Sequence, residues 1–288
     1  MKDDIEILEK TFQCLEALYT GERLEPGIFL KAGIKPGWNV VIGSAGQCGM
    51  AMNFTGAGGV FGNEEIDLEM LKSFAGRDLF TVARYYISRP SWQERSIGVA
   101  SMSALSQPLL LPDMLKKRGY ETLGSNVDLT FFIKPEDVVT VVGYGGGIRR
   151  LLGKVRELHV TDIRPRREFQ TLMVGEDVEY TPKEVVVHSE EENKYALEKA
   201  DVVWITGSTL VNGTFKELMR YASGARLVGM YGASVSMIPD ALFDAGVGFI
   251  HSYRVSDPVA FEKGAFFDMH MEPVMQNTQQ QFAIQRSA

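Results

Sequence analysis

From Asn126 onward the chain repeats one rhythm: a short aliphatic or β-branched run, a turn, then a helical window. The runs fall at 138–142, 158–162, 184–187, 201–206, 225–230 and 248–253. Helical windows at 148–155, 191–199, 215–223 and 239–245 lie between most of them. Strands separated by helices at this interval pair in parallel, because each connection must carry the chain back to the starting edge by a right-handed crossover. The expected fold is α/β, with a doubly wound parallel sheet over residues 126–265. The last stretch, 266–288, is rich in Gln and Met without a clear period, and it reads as an irregular tail.

Residues 1–125 have a different grammar. Ile5, Leu8, Phe12, Leu15 and Leu18 form one helical stripe over 4–20, with Gly21 as the expected stop. Strands are expected at 38–42 and 49–54, joined through Gly43-Ser44-Ala45-Gly46-Gln47. Helical patterns then follow at 68–73, 78–87 and 94–105, punctuated by Pro90, Pro108 and Pro112. A smaller α+β domain thus precedes the parallel sheet, and 288 residues suit two domains.

A net charge of −7, with no basic run beyond 116–118 and 164–167, argues against nucleic acid or an anionic membrane as partner. The start, Met1-Lys2-Asp3-Asp4, lacks an apolar signal core, and no run reaches the ~20 apolar residues of a membrane span. The expected setting is cytoplasmic. Cys14 and Cys48 give neither a zinc spacing nor a disulfide framework. The default assembly is a symmetric homodimer.

Three strand ends carry candidate chemistry. The first is Gly143-Tyr144-Gly145-Gly146-Gly147, followed by Asp162 at the end of the next strand. Glycines let a backbone approach a ligand, and amides at a following helix start favour an anionic edge. Asp162, with Arg164 and Arg166 behind it, is the candidate acceptor for a hydroxyl pair. The loop fits GxGxG, but Ile148 stands where the dinucleotide pattern has its third glycine, and Val141 stands where a methyltransferase loop usually has an acid. The second is Thr206-Gly207-Ser208-Thr209 with Asn212-Gly213-Thr214 behind; capping of the next helix by Asn212 or Thr214 accounts for one of these residues, not the run. The third is Tyr231-Gly232-Ala233-Ser234. In open parallel sheets the carboxyl ends of the strands line the ligand crevice, so the three loops are expected around one pocket. His159, His188, His251 and His270 show no HxH or HExxH spacing, and Met269, Met271 and Met275 around His270 read as packing.

Several segments together resemble a prokaryotic family of two-domain proteins described as "putative heavy-metal chelation" proteins. They are Gly207-Ser208-Thr209-Leu210-Val211-Asn212-Gly213-Thr214, Gly232-Ala233-Ser234 with Ile238-Pro239-Asp240, Leu242-Phe243-Asp244-Ala245-Gly246, and Ile97-Gly98-Val99-Ala100. The chain departs from the family in having Ser103-Ala104 where Asn-Ala is frequent, and Gly232-Ala233-Ser234 where Gly-Pro-Ser is common. The resemblance implies an enolase-N-terminal-like domain joined to a Rossmann-like domain, with a ligand cleft between them. It also implies the handling of a metal-chelating small molecule that is metallophore-, pterin- or flavin-like.

On this reading Thr206, Ser208, Thr209, Asn212 and Ser234 donate hydrogen bonds to such a ligand, the 143–147 amides hold an anionic edge, and any metal ion is carried by the ligand's own donors. Two alternatives stand beside it. One is an S-adenosylmethionine-dependent methyltransferase, supported by GxGxG and Asp162; the other is a non-catalytic metal-responsive carrier or sensor.

Overall fold

The computed structural model describes residues 5–55, 66–124, 127–169, 172–174, 177–179, 184–267 and 270–287. Its strands are β1 (Phe29–Lys35), β2 (Trp38–Gly43), β3 (Cys48–Met52), β4 (Tyr120–Leu123), β5 (Val138–Val142), β6 (Glu157–Thr161), β7 (Leu172–Val174), β8 (Asp177–Glu179), β9 (Val185–His188), β10 (Val202–Thr206), β11 (Leu227–Tyr231), β12 (Phe249–Val255) and β13 (Gln279–Arg286).

The first three strands form an antiparallel meander, β1-β2-β3. Against it lies the helix Trp92–Ser106, buried at every position from Gln93 to Ser106. A helix enclosed on all sides would ordinarily be apolar all round. This one is instead rich in small residues, which lets its neighbours reach its backbone. A Cβ on Gly49 of β3 would stand 2.0 Å from the Ala100 carbonyl oxygen, and one on Gly98 would stand 2.5 Å from the Ile87 amide nitrogen. Gly98 and Ala100, within the segment 97–100, are therefore contact points for the helix Leu79–Ile87 and for β3. The slab that results fixes β2 and β3, whose ends reach the cavity described below.

The second sheet runs β4-β13-β12-β11-β10-β5-β6-β9. From β12 to β9 every pairing is parallel. The order is that of a Rossmann-like doubly wound sheet: β5 lies centrally, β6 and β9 follow on one side, and β10, β11 and β12 follow on the other. The direction of winding reverses between β5 and β10, the position at which such sheets open a crevice. The core strands are largely apolar, as burial on both faces favours; Val138–Val142 is buried at every residue, with the Thr140 hydroxyl donating to Ala196 O.

Four expectations need correction. The helical window 148–155 is a 3₁₀ turn over Gly146–Arg150 followed by turns. Three glycines at its start supply no side-chain cap, and Gly153 adopts φ +66 just beyond, so a longer helix is neither started nor continued. The first helix passes through Gly21 to Glu22, and Arg23 takes the left-handed position instead. The strand β1 was not expected. Finally, 266–288 is not an irregular tail: Met271–Thr278 is helical, and β13 pairs antiparallel with β12 on one side and β4 on the other. Glutamines hide its alternation, because backbone pairing rather than an apolar face recruits the strand; only Ala283 and Ile284 of β13 are buried. Through β13, β4 also joins the larger sheet, although it lies within the first 125 residues. No described helix is long and apolar enough to cross a membrane.

Candidate functional site

The carboxyl ends of β5, β6, β10 and β11 open into a cavity of about 310 Å³. Trp38 of β2, Met52 of β3 and Phe54 just beyond also line it. Phe54 has φ +60, a costly conformation for a bulky side chain. It is held there from both sides. Asn53 donates to Lys35 O and Asn39 Oδ1 and accepts from the Thr55 amide, while the Phe54 ring lies 5.2 Å from Trp92. The outcome is a lining that combines aromatic and thioether side chains from the small sheet with the polar strand ends of the large one.

At the glycine loop, Gly143 turns at φ +92, and a Cβ there would press Thr206 at 2.9 Å. The Tyr231 hydroxyl donates to Gly143 O at 2.6 Å, with Val142 O at 3.0 Å, which ties the ends of β5 and β11 together across β10. Its desolvation between those strands pushes the phenol well above its ordinary pKa.

Asp162 has a different task from the one expected. Its carboxylate, with the side chain 6% exposed, accepts from the Tyr144 amide at 2.7 Å, the Arg164 amide at 2.8 Å, Arg164 Nε at 2.9 Å and Arg164 Nη2 at 2.9 Å. A carboxylate offers about four acceptor sites, and all are taken within the chain. Asp162 therefore holds the glycine loop and Arg164, and has no lone pair left for a ligand's hydroxyl pair. That pairing holds the guanidinium above its usual pKa, and Nη2 also donates to Tyr144 O at 3.0 Å. The same bonds occupy the Tyr144 amide, so the loop as a whole is not a free cradle for an anion. Support for an S-adenosylmethionine site from Asp162 is lost with them.

Of the residues expected at the site, Gly143, Tyr144, Gly145, Asp162, Thr206, Ser208, Thr209, Asn212 and Gly232 line the cavity. Thr206 Oγ1 accepts from the Ser208 hydroxyl at 3.2 Å, and Asn212 Oδ1 accepts from the Thr214 amide at 3.1 Å and hydroxyl at 2.8 Å, so Asn212 caps locally while facing the hollow. Gly147, Gly207, Ala233 and Ser234 are not among its lining residues, and the surroundings of Gly146 lie outside what the structure describes. A Cβ on Gly147 would meet Leu129 at 3.0 Å, and one on Gly207 would lie 2.5 Å from the Val235 nitrogen, so both glycines serve packing. Ala233 is core, and the Ser234 hydroxyl accepts from the Met52 amide at 2.9 Å, bridging β3 to the loop after β11. Tyr231, which opens the third loop named from the sequence, lines the cavity as well, whereas sequence reasoning missed Trp38, Met52, Phe54, Thr161, Ile163, Arg164, Glu190, Asn193 and Leu218. Arg164 alone had a signal, its place two residues after a strand-end acid.

The cavity lining includes none of the four histidines. His159 Nδ1 lies 2.9 Å from His188 Nε2, with Glu157 at 3.2 Å beyond one ring and Glu192 at 3.4 Å beyond the other. Burial holds the His159 and His251 pKa values below their ordinary level. A group kept neutral in the fold stabilises it fully above the unfolded pKa and loses that contribution as pH falls through the folded one. We therefore expect the denaturation midpoint to fall between about pH 7 and about pH 5. The double variant His159→Asn/His251→Asn should flatten that slope; an unchanged slope would assign it to other groups. The Met269 position lies outside the described residues, Met271 is buried core, Met275 packs against it, and His270 is exposed. Among the described residues, no cluster of three or more His, Cys, Asp or Glu side chains could hold a metal ion.

Comparison with known proteins agrees with this architecture. Two family models match, each described as "Putative heavy-metal chelation": DUF364 over residues 125–273 and DUF4213 over residues 19–106. No curated protein matches the chain. A DUF364 protein of unknown function from Desulfitobacterium hafniense aligns at TM-score 0.68 and 19% identity, covering 96% of this chain and 99% of its own. One from Pyrococcus horikoshii aligns at 0.68 and 18%, covering 97% and 99%. At these identities the likeness is one of fold.

Proposed function

The chain belongs to the family described as "Putative heavy-metal chelation", and on that premise we propose that it binds a metal-chelating small molecule in the cavity between the small sheet and the strand ends of the large one. One observation carries the reading: aromatic and thioether side chains and short polar ones line the same hollow. Ligand pockets combine apolar walls with a few placed polar groups, and about 310 Å³ lies at the small end of their usual range of roughly 300–1,000 Å³. Trp38, Phe54 and Tyr144 offer faces for a planar body; Ser208, Thr206 and Asn212 offer the polar contacts that orient it.

The donor set decides how a metal would be held. With no His, Cys, Asp or Glu cluster among the described residues, direct ligation by the protein does not fit. The metal is cargo of the ligand, and the protein recognises the ligand.

Mass spectrometry of small molecules released on denaturing the natively purified protein tests this. A released chelator in near-stoichiometric amount is expected, and it should be lost from Gly145→Trp. Gly145 lines the cavity and has φ −139, and a Cβ added to it would meet no atom within 4 Å, so the ring can fill the hollow without backbone strain. A stoichiometric metal retained by ligand-stripped protein would overturn the proposal.

A further inference from the structure

Beside the cavity, four side chains stand in line: Glu157 and His159 of β6, His188 at the end of β9, and Glu192 in the turn that follows. His159 Nε2 lies 3.2 Å from Glu157 Oε2, His159 Nδ1 lies 2.9 Å from His188 Nε2, and His188 Nδ1 lies 3.4 Å from Glu192 Oε1. Every ring nitrogen therefore meets another polar atom. The rings are buried, and the carboxylates at the two ends are half exposed.

The ring protons can be counted. A carboxylate only accepts, so each outer nitrogen needs a hydrogen, and the inner contact needs one hydrogen shared between two nitrogens. That makes three. Two neutral imidazoles bring two, while two imidazoliums bring four and would set N–H against N–H. One positive charge on the pair is the state that satisfies every contact. Burial keeps His159 below its ordinary pKa despite the Glu157 contact, so His159 is the neutral ring and the charge resides on His188.

The surroundings decide which contact fails when that proton leaves. Glu157 also has Arg156 at 3.9 Å and Lys199 at 3.8 Å, and its contact with His159 is the shorter of the two outer ones. Tyr195, from the helix Asn193–Glu198, packs edge-on against His188 with centroids 5.8 Å apart, and Thr140 of β5 pairs with His159 in register. Glu190 and Glu191 add negative charge to the turn that carries Glu192. With two ring protons left, His159 keeps its bond to Glu157, and a bare His188 nitrogen faces the Glu192 carboxylate, which repels it. Glu192 also accepts from the Ser189 amide at 3.1 Å through Oε2, so this carboxylate anchors the turn, and Glu190 and Asn193 beside it line the cavity.

We propose that the histidine pair is a one-proton switch on the cavity rim: with the third proton it fastens Glu192 and the 189–193 turn, and without it the turn is released. The inference goes beyond the ligand reading and stands whichever molecule the cavity takes.

Nitrogen NMR of the intact protein carrying isotope-labelled histidine counts the ring protons, since protonated and bare imidazole nitrogens resonate far apart. As pH rises from about 6 to about 9, one proton is expected to leave the pair in a single step, from three to two. Over the same step, hydrogen exchange of the 189–193 amides, corrected for hydroxide catalysis, should accelerate at least ~5-fold. Glu192→Gln should abolish the acceleration while the rings still titrate, because an amide can donate to a bare Nδ1 or accept from a protonated one. Glu192→Ala should exchange fast at every pH. Glu192 is half exposed, so neither substitution threatens the fold. A pair holding two or four ring protons throughout, exchange level across the step, acceleration that persists in Glu192→Gln, or slow exchange in Glu192→Ala would each overturn the switch.

Discussion

Gly229→Val is expected to cost about 3 kcal/mol of stability, the upper end of what overpacking usually does to a core. Gly229 is central in β11 and pairs with Trp204 of β10 in parallel register. The Trp204 ring lies across the glycine: a Cβ at Gly229 would stand 2.1 Å from Cζ3 and 2.5 Å from Cε3. The ring has no room to retreat, being fully buried with Phe249 edge-on at 5.6 Å. Such contacts are impossible, so either the indole leaves its rotamer or the two strands separate. Denaturant unfolding of Gly229→Ala alone and in a Trp204→Leu background checks the cause. Trp204→Leu opens a void of its own, yet the alanine should cost much less there than in the parent, giving a coupling of more than about 1 kcal/mol. Additive losses would mean that the indole is not what excludes a side chain at Gly229.

The second large effect is expected at the loop clasp. Arg164→Ala should destabilise the fold by about 3 kcal/mol, because it leaves the Asp162 carboxylate charged and nearly enclosed without its counter-charge. Arg164→Lys should recover little, since a single ammonium cannot reproduce the paired Nε and Nη2 contacts. Adding Asp162→Asn to Arg164→Ala removes the stranded charge while an oxygen acceptor remains for the Tyr144 amide, and should restore more than half of the loss. Urea midpoints across the set decide the matter. If Arg164→Ala stays within about 0.5 kcal/mol of the parent, the pair behaves as an ordinary surface contact.

How much of this could be read from the chain depends on the range of the interaction. The parallel strands were legible because alternation of apolar runs with helical windows is a local property, and the crossover rule then fixes the direction of pairing. The loops at 143, 206 and 231 could be placed together for the same reason: parallel strands put all their carboxyl ends on one side. What joins them around the cavity could not be read. Trp38, Met52 and Phe54 reach the cavity because the small sheet is fixed by glycine contacts to a buried helix, and no local pattern encodes that docking. Ser234 looked like a ligand donor and is bonded to the Met52 amide, a partner 182 residues away in sequence. Asp162 failed differently. Its identity and position were right for a ligand acid, but an arginine two residues on had already taken its lone pairs. For the strand β13 the local signal was simply weak, since glutamine carries no alternation and the pairing is supplied by backbone edges.

The position of β13 constrains the order of events during synthesis. Its neighbours in the larger sheet are β12, just before it, and β4, whose residues 120–123 are made some 150 residues earlier. As the chain leaves the ribosome, β4 therefore has no mate until 279–286 emerge, and its open backbone edge must wait through translation of the entire parallel core. Closing so long a loop last is slow by nature. A nascent chain stalled short of 279 should keep that edge available to chaperones or to other copies, and the assembled sheet should become resistant to protease in its final step.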